Sequence, residues 1–483
     1  MGVTGNPVLV LFEHLDLVAW FLAANYLLAI VSAIHEVMYS RTSQGSIAWL
    51  ISLLLLPFPT AFLYLVFGWK LFDSYASMQT ASGRRARAER AEALHITDPE
   101  TSMTWPVLAN VAKMPFLSGN KAELLIDGDA TFASIFEGIA RAQSYILVQF
   151  YIIRDDSLGQ ELAERLIERV KAGVSVRVLY DDIGSARLPH SYVQRLKDAG
   201  VHIATFNQQH KFLRAYGPTR INYRSHRKIV SVDGKEAWVG GHNVGNEYLG
   251  KDPHFGHWRD THVHLTGPAA LAVSLVFRED WEWATGHRLP ATLPEEVDTP
   301  GDQSVLVMPT GPADKLEGCA IAFTEVISRA RKRLWIVSPY FVPGLDAQTA
   351  IYAAALRGVD VRILIPKKPD HRLVWLASNS HADAMIGHGI SVYRYIAGFL
   401  HEKIILVDDE IAGVGTVNFD NRSFNINFEV TLWFTHPDMI AAVDRMLDAD
   451  FAAAQQTTIE HVKAQPWVIR FIGQAARLFS PIL

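Results

Sequence analysis

Two His-x-Lys pairs in this 483-residue chain are each followed by the same further residues. His226, Lys228 and Asp233 stand in HRKIVSVDGKEAWVGGHN, and His401, Lys403 and Asp408 stand in HEKIILVDDEIAGVGTVN. Gly240 and Asn243 close the first stretch as Gly415 and Asn418 close the second. An imidazole attacks phosphorus or moves a proton near neutral pH, and a lysine is a compact cation for phosphoryl oxygens. Side chains two apart in an apolar, β-branched run leave one face of a strand, so a phosphate placed there meets both. Glycine lets backbone come close and the Asn amide adds an uncharged donor, which makes Asn243 and Asn418 candidate phosphate ligands. One His-x-Lys pair is ordinary on a solvated strand. Two, with matched Asp, Gly and Asn positions, point to phosphodiester chemistry through a histidine.

Each histidine needs an acceptor to fix its tautomer, and a carboxylate on a neighbouring strand is the usual device. Asp260 in WRDTHVHL and Glu429 in NFEVTLWF occupy matching places and are assigned that role. Asp233 and Asp408 belong to the same catalytic set but read as supports of the motif turn rather than proton carriers. Arg220, Asn222 and Arg224 lead into His226 and suit an anionic headgroup. His254, His257, His262 and His264 lack a matching carboxylate or cysteine frame, so no metal is assigned. There is no Gly-rich nucleotide fingerprint, and no cofactor is expected. A net charge of −5 gives no broad nucleic-acid surface, and Cys319, the single cysteine, excludes an intramolecular disulfide.

The elements that carry these residues are themselves repeated. SYILVQFYII from Ser144 aligns with RLWIVSPYFV from Arg333, AGVSVRVLY from Ala172 with RGVDVRILI from Arg357, and AGVHI from Ala199 with HGISV from His388. Each half reads strand, helix, strand, helix, strand, with Leu162, Leu166 and Val170 four apart on one intervening helix. Such alternation predicts an α/β fold of parallel strands joined by crossover helices. The expected organisation is a basic linker at 71–119, a first lobe at 120–287, an inter-lobe linker at 288–303, a second lobe at 304–460 and an amphipathic segment at 461–483. That last segment spaces Trp467, Phe471, Ala475 and Leu478 helically, for a membrane surface or for packing on the lobes.

Residues 1–70 read as a membrane hairpin. Leu17 to Ile34 and Ile47 to Trp69 are uncharged runs of about 18 and about 23 residues, each long enough for a bilayer core. Pro57 and Pro59 interrupt the second, allowing a kinked or re-entrant course. No Lys or Arg precedes Arg41, which disfavours a cleaved signal peptide. Lys70, Arg84, Arg85, Arg87 and Arg90 follow the second run, so the positive-inside rule keeps both lobes cytoplasmic.

The paired motifs resemble the phospholipase D superfamily, and over nearly the whole chain the sequence resembles bacterial cardiolipin synthases. The resemblance rests also on Ala48-Trp49 through Pro57 to Phe67-Gly68, on Ser338 to Pro343, on Asn418-x-Asp420-x-Arg422-Ser423, and on Arg477 to Pro481. It implies two phospholipase D-like α-β-α lobes related by a pseudo-twofold axis that share one active site. It further implies a multi-pass enzyme of the bacterial inner membrane that meets phosphatidylglycerol and cardiolipin among anionic lipids. Two phosphatidylglycerols would become cardiolipin and glycerol, with His226 the nucleophile and His401 the acid and base. A phospholipase D-type hydrolase, or a transferase using phosphatidylethanolamine, is the alternative. Superfamily members often place Ser or Thr beside the motif glycine, which makes Thr416 a further phosphate ligand; the first half has Gly241 instead.

Overall fold

The computed structural model describes residues 7–39, 43–68, 96–206, 223–289, 297–314 and 316–483. It divides into an N-terminal unit, described over 7–68, and a larger unit that carries both lobes. In the first, a helix runs Pro7–Tyr39, and its stretch Val18–Tyr39 is the one helix among the described residues long and apolar enough to cross a membrane. The second apolar run is broken. Pro57 cannot continue a helix but suits the first turn of a new one, so the run divides at Leu56 into Ser43–Leu55 and Pro57–Phe67. A buried carboxylate ties these helices together: Glu36 accepts from Ser46 Oγ at 2.7 Å and from Tyr64 Oη at 3.0 Å. Trp69, Lys70 and the arginines at 84–90 lie outside the described residues.

The larger unit is built on one continuous sheet. The first lobe contributes β1 Phe116–Ile126, β2 Tyr145–Phe150, β3 Ser175–Tyr180, β4 His202–Thr205, β5 Ile229–Val232, β6 Glu236–Gly240 and β7 Thr261–Thr266. The second contributes β8 Gln303–Thr310, β9 Arg333–Val337, β10 Asp360–Pro366, β11 Ile390–Tyr395, β12 Ile404–Val407, β13 Ile411–Gly415 and β14 Glu429–Phe434, with β15 Ala454–Thr457 at the outer edge. Spatial order is 4-3-2-5-6-7-1 in the first lobe and 11-10-9-12-13-14-8 in the second. Antiparallel pairing of β1 with β8 joins them.

Within this sheet, parallel pairing holds only for β2-β3-β4 and β9-β10-β11, the strands joined by crossover helices. The remaining pairs are antiparallel, because β5 to β6 and β12 to β13 are linked by the short turns 233–235 and 408–410, which permit only hairpins. Helices Asp127–Arg141, Ser157–Lys171 and His190–Asp198 cover one face of the first lobe, burying Ile135, Leu162 and Leu196. Helices Pro268–Thr285 and Pro437–Ala452 line a core common to both lobes, in which Val239 and Val263 meet Val414 and Leu432.

Two expected boundaries move. Residues 96–119 do not complete a linker: Trp105, between two short helices that each open with proline, and Leu108 and Ala112 on the second of them pack with Phe116 into the second lobe's core. Gln303 starts β8 rather than ending the inter-lobe connection.

Candidate active site

Both motifs sit where a wholly buried strand begins. His226-Arg227-Lys228 runs directly into β5 and His401-Glu402-Lys403 into β12, strands with every side chain buried. Each approach is stitched to the opposite lobe: His226 N–H donates to Phe428 O at 2.9 Å, and His401 N–H donates to Arg259 O at 2.8 Å. Parallel bridges reinforce this, Ser225 with Phe428 and Phe399–Leu400 with Trp258–Arg259.

The carboxylates cross as well. His226 Nδ1 lies 3.0 Å from Glu429 Oε2 and 3.0 Å from Thr416 O, both from the second lobe. His401 Nδ1 lies 2.7 Å from Asp260 Oδ2, from the first. Nδ1–H donating to a carboxylate leaves the Nε2 lone pair for chemistry. Neither imidazole is therefore positioned within its own half. Lys228 Nζ donates to His226 O at 2.7 Å; Lys403 Nζ is 2.8 Å from His401 Nδ1 and 3.9 Å from Asp260.

The absence of a hydroxyl at Gly241 has a steric cause. A Cβ there would stand 1.9 Å from Asp260 Oδ1. In the other half Thr416 Oγ donates to Glu429 Oε2 at 2.6 Å and accepts from Val430 N–H at 3.0 Å. The short Asp packs against bare backbone, whereas the longer Glu leaves room for a side chain. The one proton of Thr416 thus goes to a carboxylate.

Charge is finely set in this dry pocket. Burial lowers the pKa of His226, with Lys228 and Lys403 adding to the effect and Glu429 opposing it. Burial, then Lys403, pushes His401 down to about 3. Burial likewise brings Lys228 down to about 7 and Lys403 to about 8. Burial works against the charge of Asp260 and Glu429 too, yet the facing Lys and His hold both below the ordinary carboxylate range. Lys403 acts on His226 and Lys228 on His401, so the two halves form one electrostatic site. Both imidazoles are thus neutral at pH 7, and the lysines place positive charge beside them.

The known proteins that share this architecture settle the family. The family model described as cardiolipin synthase, PLD-like domain, matches residues 135–253 and 323–451, one match per lobe. A second, described as phospholipase D-nuclease N-terminal, matches 27–69. The chain is 43% identical over 479 residues to cardiolipin synthase A of Pseudomonas fluorescens, covering 96% of this chain and 98% of that one. It is 43% identical over 465 residues to cardiolipin synthase A of Pseudomonas aeruginosa, covering 94% of each. The chain belongs to the bacterial cardiolipin synthases of the phospholipase D superfamily. It is a phospholipid phosphatidyltransferase, and its N-terminal apolar helix fits a membrane anchor. The fold is shared with phosphatidylserine synthase of Haemophilus influenzae, at TM-score 0.60 and 19% identity over 78% of this chain and 99% of that one.

In this cardiolipin synthase the remaining residues of interest are distributed unevenly. Asp233 and Asp408, both at positive φ (54° and 51°), lie at the far end of β5 and β12 from the imidazoles. Asp233 accepts from the N–H groups of Gln143, Ser144 and Tyr145, and Asp408 from those of Arg331, Lys332 and Arg333, at 2.7–2.9 Å. Asn243 spans Ile152 N–H (3.0 Å) and Tyr248 Oη (2.9 Å), whereas buried Asn418 Oδ1 has no partner. Arg224 is buried against Asp182 at 3.0 Å and Asp181 at 3.4 Å. Arg220 and Asn222 lie outside the described residues. His262 meets His242, at 3.1 Å between Nδ1 atoms, while His264 stacks on Trp238 and contacts Glu236. His257 turns to Asp127 at 2.8 Å.

Sequence reasoning passed over the middle residue of each motif. Arg227 pairs with Asp280 at 2.6 Å and donates to Glu429 O and Thr310 O across the lobes. Glu402 pairs with Arg259 at 2.7 Å, which also grips Asp450 with two bonds of 2.6 and 2.8 Å. A charge between two functional residues at the mouth of a buried strand was the available signal. The aromatic wall of His401, Trp258 at 5.2 Å and Phe399 at 6.1 Å between ring centroids, carried none.

Proposed function

We propose that the enzyme makes cardiolipin and glycerol from two phosphatidylglycerols through a phosphatidyl-histidine, and the observation that carries this is the pair of crossed histidine–carboxylate contacts, each beside its own lysine. His226 Nε2 attacks the phosphorus of the first lipid; the P–N bond forms as the bond to the glycerol oxygen breaks. His401, protonated once the phosphate anion is bound, gives its proton to that oxygen. The free hydroxyl of the second phosphatidylglycerol then attacks phosphorus, its proton passes to His401, and His226 leaves. Lys228 and Lys403 stabilise the charge on the phosphoryl oxygens, with Asn418 as a neutral contact. Two acceptors at His226 Nδ1, Glu429 and Thr416 O, raise its basicity, while Asp260 is divided between His401 and Lys403. This asymmetry favours His226 as nucleophile.

The matching strand orders support a pseudo-twofold axis between the lobes, with Asp233 and Asp408 as its equivalent structural supports. The N-terminal unit is read as a two-pass hairpin of the bacterial inner membrane whose second leg is broken at Leu56, with the lobes on the cytoplasmic side. Incubating the purified full-length protein with vesicles of phosphatidylglycerol tests the reaction. Cardiolipin and glycerol appearing in equal amounts is the expected result; phosphatidic acid without cardiolipin means that water is the acceptor and rejects it.

A further inference from the structure

The helix Trp467–Arg477 presents three distinct faces. Gly473 and Ala476 are buried, the former against Ser380 of the helix Arg372–Met385. Trp467, Phe471 and Leu478 stand on a second face and are 70%, 65% and 80% exposed, with Val468 beside them at 44%. Arg470 and Arg477 form the third. Successive residues step 100° around the helix, so the apolar face lies between the docked side and the basic stripe. From Ala464 to Leu483 there is no Asp or Glu, in a chain whose net charge is −5.

An apolar face of this size left to water calls for an occupant. We propose that it is a bilayer-binding surface whose partner is the interface of an anionic phospholipid membrane. Trp and Phe suit the headgroup boundary, and the adjoining arginines match lipid phosphate. The surface is coupled to the second motif. Asn421 Nδ2 donates to Ser480 O at 3.0 Å, Arg422 N–H donates to Leu483 O at 2.8 Å, and Ser480 Oγ lies 3.0 Å from His381 Nε2. Asn421 and Arg422 directly follow the Asn418–Asp420 segment, so membrane binding at this helix fixes that segment relative to the lipid surface.

The test uses the full-length protein in vesicles of phosphatidylglycerol and phosphatidylcholine that carry a nitroxide-labelled lipid. A fluorophore is placed in turn at Trp467→Cys, Phe471→Cys, Leu478→Cys and, as the reference, Lys171→Cys in a Cys319→Ala background. Quenching at 467, 471 and 478 at least about twofold above that at 171, an exposed position at the end of the first-lobe helix Ser157–Lys171, is the expected result. Equal quenching at all four positions overturns the proposal. So does shielding that follows protein concentration rather than lipid, which would mean that a second copy covers the face. In the Trp467→Ser, Phe471→Ser double variant the apparent KM for vesicular phosphatidylglycerol rises about tenfold or more, while turnover of dispersed short-chain lipid is unchanged. An unchanged vesicular KM also overturns it.

Discussion

At residue scale the two halves solve one problem with different chemistry. Asp260 is short and stands against Gly241; Glu429 is longer and stands against Thr416, whose hydroxyl steadies it at 2.6 Å. Gly241→Ala drives a methyl into the Asp260 carboxylate and removes the partner of His401, so kcat is expected to fall by on the order of a hundredfold with little change in vesicle binding. Thr416→Ala removes one bond to Glu429 and should cost about tenfold or less. Steady-state kinetics on the two purified variants decide whether the ranking holds. The lowered histidine pKa values also fix the sign of the acid limb. A neutral imidazole is needed for attack, and burial keeps the His226 nucleophile below 6.5. Hence kcat/KM should stay high as pH drops past 6.5 and decline only below it. The alkaline limb falls as Lys228, at about 7, and Lys403, at about 8, lose their protons. A pH profile with its acid limb at or above 6.5 would contradict this assignment.

At the scale of elements the motif aspartates hold strands rather than substrate. Asp233 and Asp408 each turn a hairpin at positive φ and collect three backbone N–H groups from the loop that opens β2 or β9. Asp408→Ala leaves those donors unpaired and puts alanine in a left-handed turn, a loss of about 2–4 kcal/mol that lowers the thermal midpoint. Asp408→Asn, which tolerates that backbone and keeps one acceptor, should lose about half as much. Thermal unfolding of the pair checks it. The sequence made His226, Lys228, His401, Lys403 and the matching of Asp260 with Glu429 legible, because duplicated spacing survives without any knowledge of the fold. That Glu429 serves His226 and Asp260 serves His401 was not legible, since pairing across lobes depends on which strands abut. Antiparallel β5 and β12 were hidden for a related reason: a three-residue turn sets strand direction only when the strands on both sides of it are known to pair.

At the scale of the whole molecule, the shared site requires the lobes to be locked. Arg259 from the first lobe is buried among Glu402 and Asp450 of the second, as Arg227 reaches Glu429 O and Thr310 O. Arg259→Met strands two buried carboxylates and is expected to cost about 3–5 kcal/mol, seen as an earlier unfolding transition. Activity should fall with it, because His401 N–H is held by the Arg259 carbonyl. The central claim is that both lobes act on a single phosphorus through a covalent histidine. Its most direct measurement is rapid quenching of the full-length enzyme with phosphatidylglycerol labelled in its phosphate, followed by mapping of the labelled peptide. Label on His226 that turns over in the wild type, lingers in His401→Ala and is absent from His226→Ala is the predicted result. Cardiolipin formed at the normal rate by His226→Ala, with no covalent lipid in either protein, would contradict the account.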